Sequence, residues 1–272
     1  MPLSARLGAH AEALRDAIGT GKPMPPLTEN DPDLSVADAY AIQLANVERA
    51  VADGRRVIGH KVGLTSRAMQ EMLGVDEPDF GVLTDAMLVE DAGTVDVATL
   101  IQPRIEAEIG LVLGCDLPGP GVTTADALAA VAFALPAMEI IDSRIADWRI
   151  TLPDTVADNG SSARVVLGSQ RTALDGIDPR LVGVVLSRNG VVAESGAGAA
   201  ALGNPVRCVA WLANKLAEFG SCLEAGHIVL PGALHRAVNV AAGDVFVAEY
   251  SQLGSVRVRF TQATAERMEV AP

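Results

Sequence analysis

Apolar and polar residues alternate through Arg104–Gly114 (RIEAEIGLVLG). Ile105, Ala107, Ile109, Leu111 and Leu113 fall on one face of a strand, and Arg104, Glu106, Glu108, Gly110 and Val112 on the other. The pattern predicts a half-buried strand whose polar face carries two carboxylates, roughly 6–7 Å apart at about 3.3 Å rise per residue. Leu135–Ile141 (LPAMEII) is apolar except for Glu139 and reads as a second strand. Val57–Gly63 (VIGHKVG) reads as a third, with Ile58, His60 and Val62 on one face. Lys61 points the other way between Gly59 and Gly63, where little steric crowding leaves room for a ligand.

Helical spacing governs the N-terminal part. Leu7, Ala11, Leu14 and Ile18 form one stripe, stopped by Gly19 and Gly21. Tyr40, Leu44, Val47 and Val51 form another, opened by Ser35 and Asp38 as a capping box. Lys22–Asp33, with four prolines, is a loop between them. A short helix through Met69, Met72 and Leu73 is capped by Thr65 or Ser66 and ended by Gly74. Val122–Ala134 reads as a helix with Thr124 as N-cap, so the two glutamate strands need not be hairpin partners.

Three stretches punctuate the pattern. Pro78-Asp79-Phe80-Gly81 is a turn signal presenting Asp79, and Asp154–Ser162 (DTVADNGSS) a polar loop rich in hydrogen-bonding groups. Asn189-Gly190 marks a hairpin. The glycine-rich Gly196–Gly203 precedes a helix with Asn204 as N-cap and Pro205 at its first position, but lacks the spacing of a dinucleotide-binding loop. His227–Leu230, Asp244–Tyr250 and Ser255–Phe260 close the chain as strands. Strands outnumber helices after the N-terminal part, without regular β-α alternation. The expected class is therefore α+β, mainly β: a sandwich or roll with helices packed outside. A helical portion, 1–56, packs on a main domain, 57–272, as one structural unit.

Composition narrows the partners. At 272 residues and a net charge of −13, nucleic acid and anionic membrane surfaces are excluded as expected partners. The most apolar segment, Ala127–Met138, is too short to span a bilayer and contains Pro136. The N-terminus mixes charges among its apolar residues, unlike a signal peptide. Cys115, Cys208 and Cys222 are odd in number and widely spaced, as reduced core thiols of a cytosolic protein would be.

The carboxylates carry the chemistry. An ionised Glu139 in an apolar run is costly to bury without a partner. With Glu106 and Glu108 it could hold one hard divalent ion through oxygen, Mg²⁺ or Mn²⁺ rather than Zn²⁺, since no histidine or cysteine has ligand spacing nearby. On spacing alone, Glu-x-Glu also reads as a solvated face, Lys61 as an ion-pair partner, Asp79 as an ordinary turn residue and Asp154–Ser162 as an Asx-rich turn. His10, His60, His227 and His235 read as non-catalytic, with His60 facing away from Lys61.

The segments GHKVGLTS (59–66), PDFG (78–81), LIQPRIEAEIGLVL (100–113), EIIDSRIADW (139–148) and DTVADNGSS (154–162) resemble the 2-keto-4-pentenoate hydratase family of the fumarylacetoacetate hydrolase superfamily. ALGNP (201–205) and LGSVRVRF (253–260) extend the resemblance over nearly the whole chain. It implies a β-roll of the fumarylacetoacetate hydrolase type, a Mg²⁺ or Mn²⁺ site, and a 2-hydroxy-2,4-dienoate substrate or its 2-oxo tautomer. The activity implied is hydration to a 4-hydroxy-2-oxo acid, in meta-cleavage catabolism of aromatic compounds. Carried over by position, the metal ligands are Glu106, Glu108 and Glu139, with Lys61, Asp79 and the Asn159–Ser162 loop in the substrate pocket. Lys61 and Asp79 are the candidates for general acid or base, Lys61 alternatively pairing with the substrate carboxylate. Asn159, Ser161 and Ser162 would orient the substrate carboxylate or the attacking water. Gly160 departs from the family's usual alanine, and His235 stands in a variable pocket segment.

Three rival readings share the scaffold. A 2-oxo-3-hexenedioate decarboxylase would reach the same enolate by losing CO₂, but Asp79 would face that substrate's second carboxylate. An acylpyruvate-type C–C hydrolase would need a His–Glu pair, and none is evident. A non-catalytic partner subunit would be expected to lack Lys61 or a metal glutamate. A cytoplasmic homo-oligomer, associating with a related pathway enzyme, completes the expectation.

Overall fold

The computed structural model describes residues 3–262 except 68–69 and 72–73. Two sheets form its centre. The larger has the order β2 (Asp79–Thr84), β1 (Val57–Gly63), β10 (Ile228–Leu230), β5 (Arg104–Leu113), β6 (Val131–Ile141), β7 (Ser162–Leu167), β3 (Leu88–Glu90), with β11 (Val238–Asn239) also pairing β5. The smaller runs β4 (Gly93–Asp96), β13 (Gly254–Thr261), β12 (Val245–Tyr250), β8 (Gly183–Arg188), β9 (Val191–Ala197). The expected α+β, mainly β class holds.

β5 and β6 organise the core. Ile105, Ala107, Ile109 and Leu111 are wholly buried, and so are Met138 and Ile140 of β6. The smaller sheet contributes Leu186, Phe246, Val258 and Phe260 to the same core, the two phenylalanine rings meeting edge to face at 5.9 Å. Tyr250 crosses between the sheets, its hydroxyl donating to the Ala137 carbonyl at 2.5 Å. The polar face of β5 is not solvated as expected: Glu108 and Gly110 are buried too. β6 is buried on both faces from Ala134 to Ile141, as its continuous apolar run reads, and it extends back to Val131 through a partly exposed stretch.

That extension corrects the predicted helix over 122–134, which spans Thr124–Ala130 with Thr123, not Thr124, as N-cap. β5 and β6 are direct antiparallel partners across it. Pro78–Gly81 is not a turn, because Asp79 opens β2 opposite Gly63. Asp154–Ser162 is not a loop throughout: Leu152–Ala157 is helical, a 3₁₀ turn covers Asn159–Ser161, and Ser162 begins β7. Of the cysteines only Cys208 is buried, and Cys115 is exposed. The expected helix through Met69, Met72 and Leu73 falls outside the described residues.

Helices of the N-terminal part brace the sheet edge that carries Asp79. Ser35 and Asp38 form the expected capping box of helix Val36–Ala52. From that helix Tyr40 stacks on Phe80 at 4.7 Å, and Gln43 Nε2 donates to the carbonyls of Phe80 and Val156 at 2.8 and 2.9 Å. Val51 and, on helix Ala5–Thr20, Ile18 are exposed at the ends of their stripes. No helix among the described residues is long and apolar enough to cross a membrane.

Candidate active site

Directly opposed residues of antiparallel strands project to the same face, with β-carbons about 5 Å apart. The β5–β6 register opposes Glu106 to Glu139, and Glu108 shares the face of Glu106. One carboxylate oxygen of each lies within 4.8 Å of the others. Glu139 is wholly buried, and among the described residues neither of its oxygens has a hydrogen-bond partner. Glu108 Oε2 accepts from the Gly232 N–H at 2.7 Å. Burial, then mutual repulsion, pushes Glu106 up to about 7 and Glu108 well above the usual carboxylate range. Burial also raises Glu139, against the pull of Lys61. Buried carboxylates with orphaned oxygens are costly unless a cation is shared among them. An oxygen-only donor set of this kind fits a hard divalent ion.

Lys61 reaches the cluster from β1, its Nζ 3.6 Å from Glu139 Oε2 and donating to the Gly160 carbonyl at 2.9 Å. Burial opposes its charge, but Glu139, Asp79, Glu106 and Glu108 outweigh burial and hold it protonated. His60 faces the other way, against Phe80 and His227. The flanking glycines make room for protein rather than ligand. A β-carbon on Gly63 would come within 2.1 Å of Asp79 Oδ1, and one on Gly59 within 1.9 Å of the Ile228 carbonyl oxygen. Asp79 is buried, with Oδ1 unpartnered among the described residues and Oδ2 at 3.5 Å from the Thr155 hydroxyl. Burial lifts its pKa against the attraction of Lys61.

The turn before β7 supplies the remaining groups. Asn159, Gly160 and Ser161 take three successive left-handed conformations, with φ of 58°, 59° and 56°, a strain of roughly 1–2 kcal/mol for each residue bearing a side chain. Ser161 lines the cavity above the carboxylates. Asn159 does not: its amide is tied to the backbone of Val82, accepting from N–H at 2.7 Å and donating to C=O at 2.9 Å. The amide thereby clamps β2. Ser162 also misses the cavity lining, and its buried hydroxyl has no hydrogen-bond partner among the described residues.

The cavity, about 770 Å³, joins Lys61, Asp79, Glu106, Glu108 and Ser161 to the apolar side chains of Leu64, Ile141, Trp148, Ile150 and Leu234. Sequence reasoning missed Arg104, whose guanidinium lies 4.2 Å over the Trp148 ring in that wall. It also missed Thr155 beside Asp79. Strand alternation does put Arg104 on the face of Glu106 and Glu108, whereas nothing in the local pattern distinguishes Thr155 from a surface residue. His235 lines the cavity but has both ring nitrogens engaged, Nε2 accepting from the Ala107 N–H at 3.1 Å and Nδ1 facing the Arg236 carbonyl at 2.8 Å. Burial lowers its pKa, consistent with a neutral, non-catalytic ring.

A pH dependence follows for the metal-free protein. Carboxylates whose pKa is raised on folding hold more protons in the native than in the unfolded state, so stability falls as pH rises. The contribution of Glu106 is complete below its ordinary value of 4.5 and lost through about 7. Buried His60 and His235, whose pKa values are lowered, act in the opposite direction up to their ordinary value. The Glu106 contribution is therefore read from thermal melts in chelator, as the wild-type midpoint falling relative to that of Glu106→Gln from about pH 5 to about pH 8. Saturating divalent ion should flatten that difference.

The fold and site together define a two-sheet β-roll with a pocket that ends on a buried tricarboxylate cluster. Residues 47–261 match the fumarylacetoacetate (FAA) hydrolase C-terminal family, and the chain belongs to that family. It is 50% identical to a 2-keto-4-pentenoate hydratase of Paraburkholderia xenovorans (strain LB400), over 92% of this chain and 93% of the relative. It is 45% identical to a 2-hydroxyhexa-2,4-dienoate hydratase of Comamonas testosteroni, over 92% and 96%. Among solved structures, a 4-oxalocrotonate decarboxylase from Pseudomonas putida G7, complexed with magnesium and adipate, superposes with a TM-score of 0.92 at 40% identity, covering 96% of this chain and 99% of that one.

Proposed function

We propose that this protein is a divalent-metal-dependent hydro-lyase that adds water to a 2-hydroxy-2,4-dienoate through its 2-oxo-3-enoate tautomer, giving a 4-hydroxy-2-oxo acid. What carries the reading is the convergence of Glu106, Glu108 and Glu139 beside Lys61, with Lys61, Glu106 and Glu108 lining one cavity, in a chain half identical to a curated hydratase. Glu106, Glu108 and Glu139 hold Mg²⁺ or Mn²⁺. The bound ion supplies Lewis-acid stabilisation of negative charge on the substrate 2-oxygen.

The protein's own groups handle the protons. Tautomerisation removes a proton from the 2-hydroxyl and adds one at C5; hydration then places hydroxide at C4 and a proton at C3. Lys61, protonated and fixed on Gly160, donates, or pairs with the substrate carboxylate. Asp79, with a raised pKa and one bare oxygen, exchanges protons with water or carbon. Ser161 orients the carboxylate or the attacking water. The apolar walls, Leu64, Trp148, Ile150 and Leu234, receive the hydrocarbon end. We place the enzyme in the cytoplasm as a homo-oligomer acting in meta-cleavage catabolism of aromatic compounds, in association with a related pathway enzyme.

The test is the ultraviolet decay of 2-hydroxypenta-2,4-dienoate with Mg²⁺ and then with excess chelator, the product identified by mass. The expected result is metal-dependent decay to a product heavier by one water. No decay with this or longer dienoates, together with CO₂ release from 2-oxo-3-hexenedioate, would replace hydration by decarboxylation.

A further inference from the structure

The turn that carries Gly160 and Ser161 is held from behind by a buried ion pair that the proposed chemistry does not use. Arg144 and Asp158 are 5% and 2% exposed, and neither lines the cavity. Arg144 Nε donates to Asp158 Oδ1, and its Nη2 to the Asp158 carbonyl. The same guanidinium donates to the Asp142 carbonyl at 2.7 Å and the Ser162 carbonyl at 3.3 Å, and the Arg144 N–H donates to Asp158 Oδ2 at 3.0 Å. One side chain thus ties the end of β6 to both ends of the turn. The Asp142 N–H adds a bond to the Ser161 carbonyl at 2.8 Å.

What is held is a strained backbone, closed by its own bonds from the Ser161 N–H to the Asp158 carbonyl at 3.0 Å and from the Ser162 N–H to the Asn159 carbonyl. Asn159 and Ser161 sit in the left-handed region on either side of Gly160, a conformation that side-chain-bearing residues leave unless the surroundings fix it. The Gly160 carbonyl, in the middle of that run, is the hydrogen-bond acceptor of the Lys61 ammonium. Gly160 itself packs on the lysine stem, where a β-carbon would stand 3.1 Å from Lys61 Cδ. Moving the turn therefore moves Lys61.

We propose that Arg144 and Asp158 are positioning residues for Lys61: their ion pair fixes the strained 159–161 turn whose Gly160 carbonyl aims the ammonium. The proposal rests on Lys61 acting in the reaction. It leaves the carboxylate cluster alone, since Glu106, Glu108 and Glu139 are fixed by the β5–β6 register.

The experiment is a double-mutant cycle, because residues acting through one another are non-additive. Asp158→Asn removes the charge at constant shape, and Lys61→Met removes the ammonium. Turnover, Mg²⁺ affinity and melting temperature are measured for each single variant and the pair. Asp158→Asn is expected to lower turnover 10- to 100-fold in the wild-type background and less than 2-fold in the Lys61→Met background, with Mg²⁺ affinity within 3-fold of wild type. An equal loss in both backgrounds, or a lowered melting temperature with unchanged turnover, would overturn the proposal as a purely structural role. A wild-type rate for Lys61→Met alone would instead remove the reading of Lys61, and this proposal with it. Should Asp158→Asn not fold, Arg144→Lys, which keeps the charge but cannot span the same carbonyls, runs the same cycle under the same criteria.

Discussion

Glu108→Gln is expected to abolish turnover at limiting Mg²⁺ while making the metal-free protein more stable than wild type. Glutamine keeps the length and the acceptor for the Gly232 N–H, which lies 2.7 Å from Glu108 Oε2, so the strand and its neighbours have no reason to move. It removes a carboxyl whose ionisation burial and repulsion oppose, holding Glu108 well above the usual carboxylate range. Without metal, that ionisation is a net cost, as uncompensated buried charges are. With metal, the carboxylate is a ligand. Affinity should fall on the order of 10²-fold, about 2.7 kcal/mol. The opposite signs make the test sharp, with titration calorimetry reading the affinity and thermal melts, with and without chelator, reading the stability. Wild-type Mg²⁺ affinity in the variant would take Glu108 out of the site.

Much of this site was readable along the chain, and the parts that were not share a physical cause. The alternation in Arg104–Gly114 put Glu106 and Glu108 on one face because strand periodicity is local. The Val57–Gly63 strand matches its prediction residue for residue. Asn189 and Gly190 turn with φ of 54° and 80°, as the hairpin dipeptide requires, and Asn204 caps its helix through the Val206 N–H. Each of these depends on a few neighbouring residues.

Register between distant segments does not. That Glu139 stands opposite Glu106 depends on how β6 docks after an intervening helix, and no local pattern encodes that. Asp79 and Phe80 carry a turn signal, yet pairing with β1 and stacking under Tyr40 draw them into a strand; tertiary packing overrides a weak local preference. Asn159 shows the limit most clearly. An exposed-looking amide in a polar segment is the same letter whether it meets a substrate or clamps the Val82 backbone. Lys61 illustrates the converse. Its glycine neighbours marked a close approach correctly, but the approaching atoms belong to Asp79 and Ile228.

Lys61→Met is expected to lower turnover about 10²- to 10⁴-fold at saturating Mg²⁺, or about 3–5 kcal/mol of barrier, with metal affinity held or raised. Methionine fills the path of the lysine stem past Gly160 but carries no proton. The cluster loses its nearest counter-charge, the ammonium 3.6 Å from Glu139 Oε2. In chelator the variant should therefore melt lower than wild type, because the wholly buried Glu139 is left without a cation or a hydrogen bond among the described residues. Mg²⁺ should restore most of that loss, since the ion replaces the missing charge. A purely structural lysine predicts a different pair of results: lowered stability that metal does not repair, and turnover that follows the folded fraction. Measuring single-turnover decay of the dienoate beside melting curves at matched Mg²⁺ separates the two. A variant that folds, binds Mg²⁺ and turns over at the wild-type rate would move the proton chemistry from Lys61 to Asp79 and water alone.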